Sequence, residues 1–258
     1  MRALRDPVRL IPVLFAGAIL IGMALLMLPI ATADGSVTPP ITAFFTATSA
    51  VAVTGLITVD TATYWSGFGQ AVILVLFQIG GFGIMTAATL FGLMAGRGFG
   101  LRERMATQVE RDRLALGDAA SVLRLILKIT LAVELTVAII LTLRLRLAYD
   151  FGWGEALWHG VFHSVSAFNN AGFSTFSDSV MGFQSDVVML GPIMLAVVIA
   201  ALGFPVMQDL RAHRLVWRRY TLHTKITVAA TGWLLLIGFA AHLAMEWTNP
   251  DTLGPMGV

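Results

Sequence analysis

The chain has 258 residues, 57% of them hydrophobic and 12% charged, with a mean hydropathy of +0.81 and a formal net charge of +2. Soluble domains run about 45–50% apolar and about 25% charged, so a soluble globule is excluded, and the small net charge gives no support to a nucleic-acid partner. The absence of cysteine removes disulfides, thiolate metal sites and cysteine nucleophiles.

About 20 apolar residues cross a bilayer, and five stretches qualify: residues 10–30, 68–92, 125–143, 187–208 and 226–245. The first imitates a signal peptide, with basic residues before it and Ala31-Thr32-Ala33 after it. Its apolar run exceeds the 7–15 residues of a signal core, so it is read as a retained span. Fifteen of the 17 Lys and Arg fall before the first stretch, after the second or after the fourth, whereas acidic residues dominate the other connections. This alternation is the positive-inside pattern of a multi-pass protein with a cytoplasmic N-terminus. Arg144 and Arg146 break it and are expected to snorkel to the outer interface.

Between the first two stretches, residues 39–49 read as a short helix with Thr38 as its N-cap and prolines at its start. Between the third and fourth, residues 154–168 read the same way. Each is too short to cross and too apolar for water, which describes a re-entrant half-helix. The two half-helices run into related segments: Thr48-Ser49-Ala50-Val51-Ala52-Val53-Thr54-Gly55-Leu56 aligns without a gap on Val165-Ser166-Ala167-Phe168-Asn169-Asn170-Ala171-Gly172-Phe173. The order span, half-helix, glycine turn, span therefore occurs twice. Such a half-helix aims its partly negative C-terminal end at the bilayer centre. The turn after it aims backbone carbonyls at a dehydrating cation, and glycine supplies the positive φ that the turn needs.

These motifs, with Phe162-His163-Ser164 before the second and Ser174 after it, resemble the first and second pore loops of the Trk/Ktr/HKT potassium transporter superfamily. Gln78-Ile79-Gly80-Gly81-Phe82-Gly83 and Gly203-Phe204-Pro205 resemble the helices that follow those loops. The resemblance implies potassium uptake through one pore built from four repeats, no resident cofactor, a homodimer and a cytosolic nucleotide-binding regulatory subunit; it leaves a sodium requirement open. It makes Gly55 and Gly172 filter glycines, with carbonyls of Val53, Thr54, Asn170 and Ala171 beside them. The fifth stretch resembles the opening helix of a third repeat, and the sequence stops at Val258 before a third half-helix. The expectation is that residues 1–258 insert without conducting and that the pore needs sequence beyond them.

The fold class expected is an all-α membrane protein of two helix–pore-loop–helix repeats plus the first helix of a third. Residues 1–96 form the first repeat, 97–120 a cytoplasmic connection, 121–212 the second repeat and 213–258 the opening of the third. Its expected place is the plasma membrane. The connection reads as a solvated face rather than a docking site for a regulatory subunit or anionic lipid.

Three features compete with the pore reading. Glu155, His159 and His163 share one helical face at zinc-compatible spacing, the basis of an intramembrane metalloenzyme alternative, but a pore-helix histidine more often supports its own loop. Gly81-Phe82-Gly83 mimics a channel filter yet lies inside an apolar span with no half-helix before it, which points to close helix packing. Glu134, a carboxylate in mid-span, is open between a coupling-ion site and a partner for a neighbouring cation. A secondary transporter with broken helices is the other transport reading, although its repeats are commonly inverted. No phosphate loop, dinucleotide fingerprint or nucleophile elbow is present, so the chain is not expected to be an enzyme.

Overall fold

The computed structural model describes residues 7–96, 108–214, 216–247 and 249, and the regular structure among them is helical apart from an isolated bridge between Thr32 and Trp65. The helices are α1 (Pro7–Leu26), α2 (Pro40–Val51), α3 (Thr61–Tyr64), α4 (Gly67–Gly96), α5 (Gln108–Ala148), α6 (Trp153–Phe168), α7 (Val187–Ala201), α8 (Phe204–His213) and α9 (Leu222–Glu246). By length and apolar composition, Gly67–Thr86 of α4, Arg124–Ala148 of α5 and Leu222–Glu246 qualify as membrane spans. At 1.5 Å per residue, the 20 residues of α1 reach about 30 Å, the thickness of the hydrocarbon core. The 12 residues of α2 and the 16 of α6 do not.

The protein is an all-α membrane protein in which a span, a half-helix and a span recur. Two expectations are corrected in detail. The N-cap of α2 is Pro39, extended at φ −55° and ψ 136°, and makes no side-chain cap bond; the Thr38 hydroxyl is buried without a partner. Prolines in the first positions remove donors that a cap would serve. The apolar run 187–208 is not one helix: α7 stops at Ala201 and α8 starts at Phe204. Gly203 between them has φ +81°, and Pro205 in the first turn of α8 lacks the N–H that a continuous helix would use. Residues 108–120 of the expected connection are already helical and continuous with α5, whereas 97–107 lie outside the described residues.

The chain forms two compact units, Met1–Ala201 and Leu202–Val258. In the first, one apolar core is shared by both repeats: Ala43, Ala47, Ala50 and Val51 of α2 and Ile73 and Phe77 of α4 meet Phe162 of α6 and Phe173. The Phe77 ring stands edge-on to Phe162 at 5.5 Å and stacks on Phe173 at 6.0 Å, both favoured aromatic geometries. A second core joins Val137, Leu141 and Leu145 of α5 to Ala156 and Ala167 of α6 and to Met189 and Ala196 of α7.

The two interfacial arginines pair with acids as well as ending a helix. Arg144 Nε donates to Asp186 Oδ2 at 2.8 Å, beside the Tyr149 hydroxyl at 2.9 Å, while Asp186 Oδ1 accepts from Val188 N and caps α7. Arg146 lies 3.9 Å from Asp150 and over the Trp153 ring. In the second unit, Asp209 Oδ2 accepts from both the backbone N–H and the hydroxyl of Thr221 at 2.9 Å, and Thr221 caps α9 through Thr224 N. Trp233, Leu234, Leu235, Ile237 and Phe239 along α9 are exposed.

Candidate functional site: two matched turns

The two half-helices end alike. Their C-caps, Ala52 and Asn169, have φ −81° with ψ −2° and −3°. The next residues, Val53 and Asn170, are left-handed at φ +57° and +56°, and Gly55 and Gly172 come two positions later at φ +72° and +74°. The hydrogen bonds repeat too: Val53 N to Ala50 O and Asn170 N to Ala167 O at 3.1 Å, Thr54 N to Ser49 O at 2.9 Å and Ala171 N to Ser166 O at 2.8 Å. Every partner is shifted by the same 117 residues. Left-handed backbone is ordinary for Gly and tolerable for Asn but costly for a β-branched Val, so Val53 is held there by its surroundings.

The turns also touch. A Cβ built on Gly55 would lie 2.6 Å from the Ala171 carbonyl oxygen and 3.1 Å from Gly172 Cα, and one on Gly172 would lie 3.3 Å from Gly55 Cα. All six residues expected to line a filter, Val53, Thr54, Gly55, Asn170, Ala171 and Gly172, therefore belong to two contacting turns. A cavity of about 280 Å³ adjoins the second turn, lined by Ser166, Asn170 and Gly172 together with Ile193 and Val197 of α7.

Helix α4 runs behind both turns. A Cβ on Gly80 would collide with the Val51 carbonyl oxygen at the end of α2, and one on Gly81 with the Asn169 side chain. These glycines, with Gly83, sit inside a continuous helix and act as contact surface, as packing through small residues requires. On the same helix, Gln70 Oε1 accepts from Trp158 Nε1 of α6 at 2.8 Å and its amide donates to Thr61 O and Trp65 O, tying the first repeat to the second half-helix.

The expected metal candidates hold the loop instead. The His163 Nδ1–H donates to His159 O at 2.9 Å, leaving Nε2 to accept from the Ser174 hydroxyl at 3.0 Å. His159 Nδ1 lies 2.6 Å from Thr175 Oγ1, and both imidazoles stack on Phe176, at 4.5 and 4.8 Å. Glu155 is exposed, 3.9 Å from His159 Nε2. Among the described residues no three His, Cys, Asp or Glu gather as a metal site. One nitrogen of each ring is spent on the chain just beyond the second turn, His159 Nδ1 on Thr175 and His163 Nε2 on Ser174.

Two partnerships escaped sequence reasoning. Ser177 Oγ donates to Asp60 Oδ2 at 2.6 Å, and Asp60 also caps α3 through Ala62 N. The Ser177 hydrogen bond, with those from Thr63 and Ala62, holds the Asp60 carboxyl below its usual range against the opposing effect of burial. Glu134 meets Gln78 of α4 and Asn169 at the end of α6, and no cationic side chain among the described residues. The available signal was the pair of polar residues, Gln78 and Glu134, placed in otherwise apolar spans.

The sequence profile of the family described as cation transport protein, TrkH, matches residues 7–227. The chain is 37% identical over 255 residues to the Ktr system potassium uptake protein B of Bacillus subtilis, covering 98% of this chain and 56% of that protein. It is 36% identical over 244 residues to the potassium/sodium uptake protein NtpJ of Enterococcus hirae, covering 93% and 53%. It is 36% identical over 254 residues to the Ktr system potassium uptake protein B of Vibrio alginolyticus, covering 96% and 54%. The chain thus spans about half the length of the curated relatives it matches. These relatives are transport proteins rather than enzymes, and the profile covers the spans and the turn of both repeats: the chain belongs to the TrkH family of cation transport proteins.

Proposed function

We propose that the protein takes up potassium across the plasma membrane and that its two matched turns line the ion path. The observation that carries this reading is the contact of two turns of identical backbone, each at the C-terminal end of a half-helix. Carbonyls of Val53, Thr54, Gly55, Asn170, Ala171 and Gly172 replace ion hydration, and the two helix ends add a favourable field for a cation. Other segments complete the ring. The names of the relatives, potassium uptake and potassium/sodium uptake, support potassium as cargo and keep sodium as a candidate companion.

The charge alternation supports an N-terminus in the cytoplasm. Assembly as a homodimer with a cytosolic nucleotide-binding regulatory subunit completes the proposal on the strength of the family resemblance. The charge alternation puts both half-helices on the same side of the membrane, which favours parallel repeats over the inverted repeats of broken-helix transporters.

The test is expression, as the gene encodes it, in cells lacking potassium uptake. Growth at limiting potassium is expected to be restored, and Gly55→Ser and Gly172→Ser to lower potassium-over-sodium discrimination at equal membrane amounts. Unchanged discrimination in both variants removes these turns from the ion path.

A further inference from the structure

The second turn has a brace that the first lacks. Asn169, the residue that ends α6, directs its amide N–H groups to Gln78 Oε1 at 2.5 Å, Val165 O at 2.9 Å and Glu134 Oε1 at 3.4 Å. Gln78 Nε2 donates to Glu134 Oε2 at 3.3 Å. The backbone carbonyl of Glu134 also accepts from the Ser164 hydroxyl, which fixes α5 against α6 at that level. Glu134 is 6% exposed and Asn169 5%. The residue equivalent to Asn169 in the first turn is Ala52, which has nothing to donate.

The direction of these bonds defines what position 134 must be. Two amide groups from two helices donate to the two oxygens of one side chain, and the Gln78 oxygen is already taken by Asn169. An acceptor-only group satisfies both, whereas an amide in its place turns one N–H toward another and leaves a buried donor without a partner. Among the described residues the Glu134 carboxylate accepts from these two amides and forms no ion pair.

We propose that Glu134 is a positioning residue for ion selectivity: through Gln78 and Asn169 it fixes the start of the second turn and so the direction of the carbonyls from Asn170 to Gly172. This rests on the reading of the turns as the ion path. One turn is thereby set by a hydrogen-bonded side-chain triad spanning α4, α5 and α6, the other by backbone packing against Gly80.

The experiment compares four proteins by potassium-over-sodium uptake ratio at equal membrane amounts: the parent, Glu134→Gln, the exchange Gln78→Glu with Glu134→Gln, and Gly172→Ser. The exchange moves the carboxylate to α4, where it accepts from Asn169 and from the new amide at 134, so the donor pattern closes again. Glu134→Gln is expected to lower the ratio about tenfold, the scale of one unsatisfied buried donor, and the exchange to return it to within about twofold of the parent. A ratio unchanged in Glu134→Gln while Gly172→Ser lowers it overturns the inference and leaves the ion path standing; no change in either overturns both. Should Glu134→Gln fail to reach the membrane, Asn169→Ala decides, because it cuts the link to the turn and leaves Gln78 with Glu134. A lowered ratio there supports the brace, and a parental ratio overturns it.

Discussion

Asp60 and Ser177, joined by a 2.6 Å hydrogen bond, stand 117 residues apart, the offset that also relates Gly55 to Gly172. Equivalent positions of the two repeats therefore hold each other beyond the turns, five residues after each glycine. Ser177→Ala removes only this link, since the caps from Asp60 to Ala62 and Thr63 remain. The expected cost is about 0.5–1 kcal/mol, the low end for an exposed bond, read from the thermal unfolding of purified protein.

The same pair predicts a pH effect with a defined sign. The Asp60 carboxyl is held below its usual range, so its contribution to stability is present above the unfolded value, about 3.9, and is lost as pH falls through the lower folded value. The advantage of the parent over Ser177→Ala should therefore be full at pH 5 and shrink as pH falls through the folded value. Coincident profiles would show that Ser177 does not hold the carboxylate.

Substitution at the two glycines should not cost the same. Both are left-handed, which costs an L-residue about 1–2 kcal/mol, but the Cβ of Gly55→Ala also meets the Ala171 carbonyl, whereas that of Gly172→Ala meets only Gly55 Cα. Gly55→Ala is expected to be the more damaging in both melting temperature and discrimination. Equal effects would mean that the turns are not in contact as described.

Val53 offers the opposite outcome. Its equivalent, Asn170, has the same φ in a residue type that tolerates it. Val53→Asn should therefore raise stability by about 1 kcal/mol, measured by denaturant or thermal unfolding, with membrane insertion intact. A loss of stability would show that Val53 packing outweighs its backbone strain.

The absence of native cysteine makes topology simple to read. Single cysteines at Ser36 and Ser179, both exposed, should react with impermeant reagent from outside intact cells, and one at Ala106 should not. Labelling of Ala106 under those conditions would reverse the proposed orientation.

The sequence carried the half-helices, the two turns and their offset, because prolines, glycines and apolar lengths are local signals. It carried the packing role of Gly81 and Gly83 by elimination, since no half-helix precedes them. It hid the break at Gly203, because a hydropathy window averages across Leu202-Gly203 and sees one apolar run. The partners of Glu134 were hidden for a different reason. Gln78 and Asn169 lie 56 and 35 residues away. His159 and His163 showed a ligand-like spacing on one face, and only the folded loop reveals Ser174 and Thr175 in front of them.

The matched turns also say where this chain has been free to vary in length. Residues 27–39 lead from α1 into α2, but residues 149–152 suffice from α5 into α6, while the stretch from half-helix to glycine keeps one length and one set of dihedrals. The turn is thus a cassette of fixed gauge suspended between adjustable leads. An inserted epitope or fluorophore belongs in the long first lead, beside exposed Gly35 but not in place of it, because that residue is left-handed at φ +74°. One extra residue between Ser49 and Gly55 would instead displace that glycine from its counterpart in the other repeat.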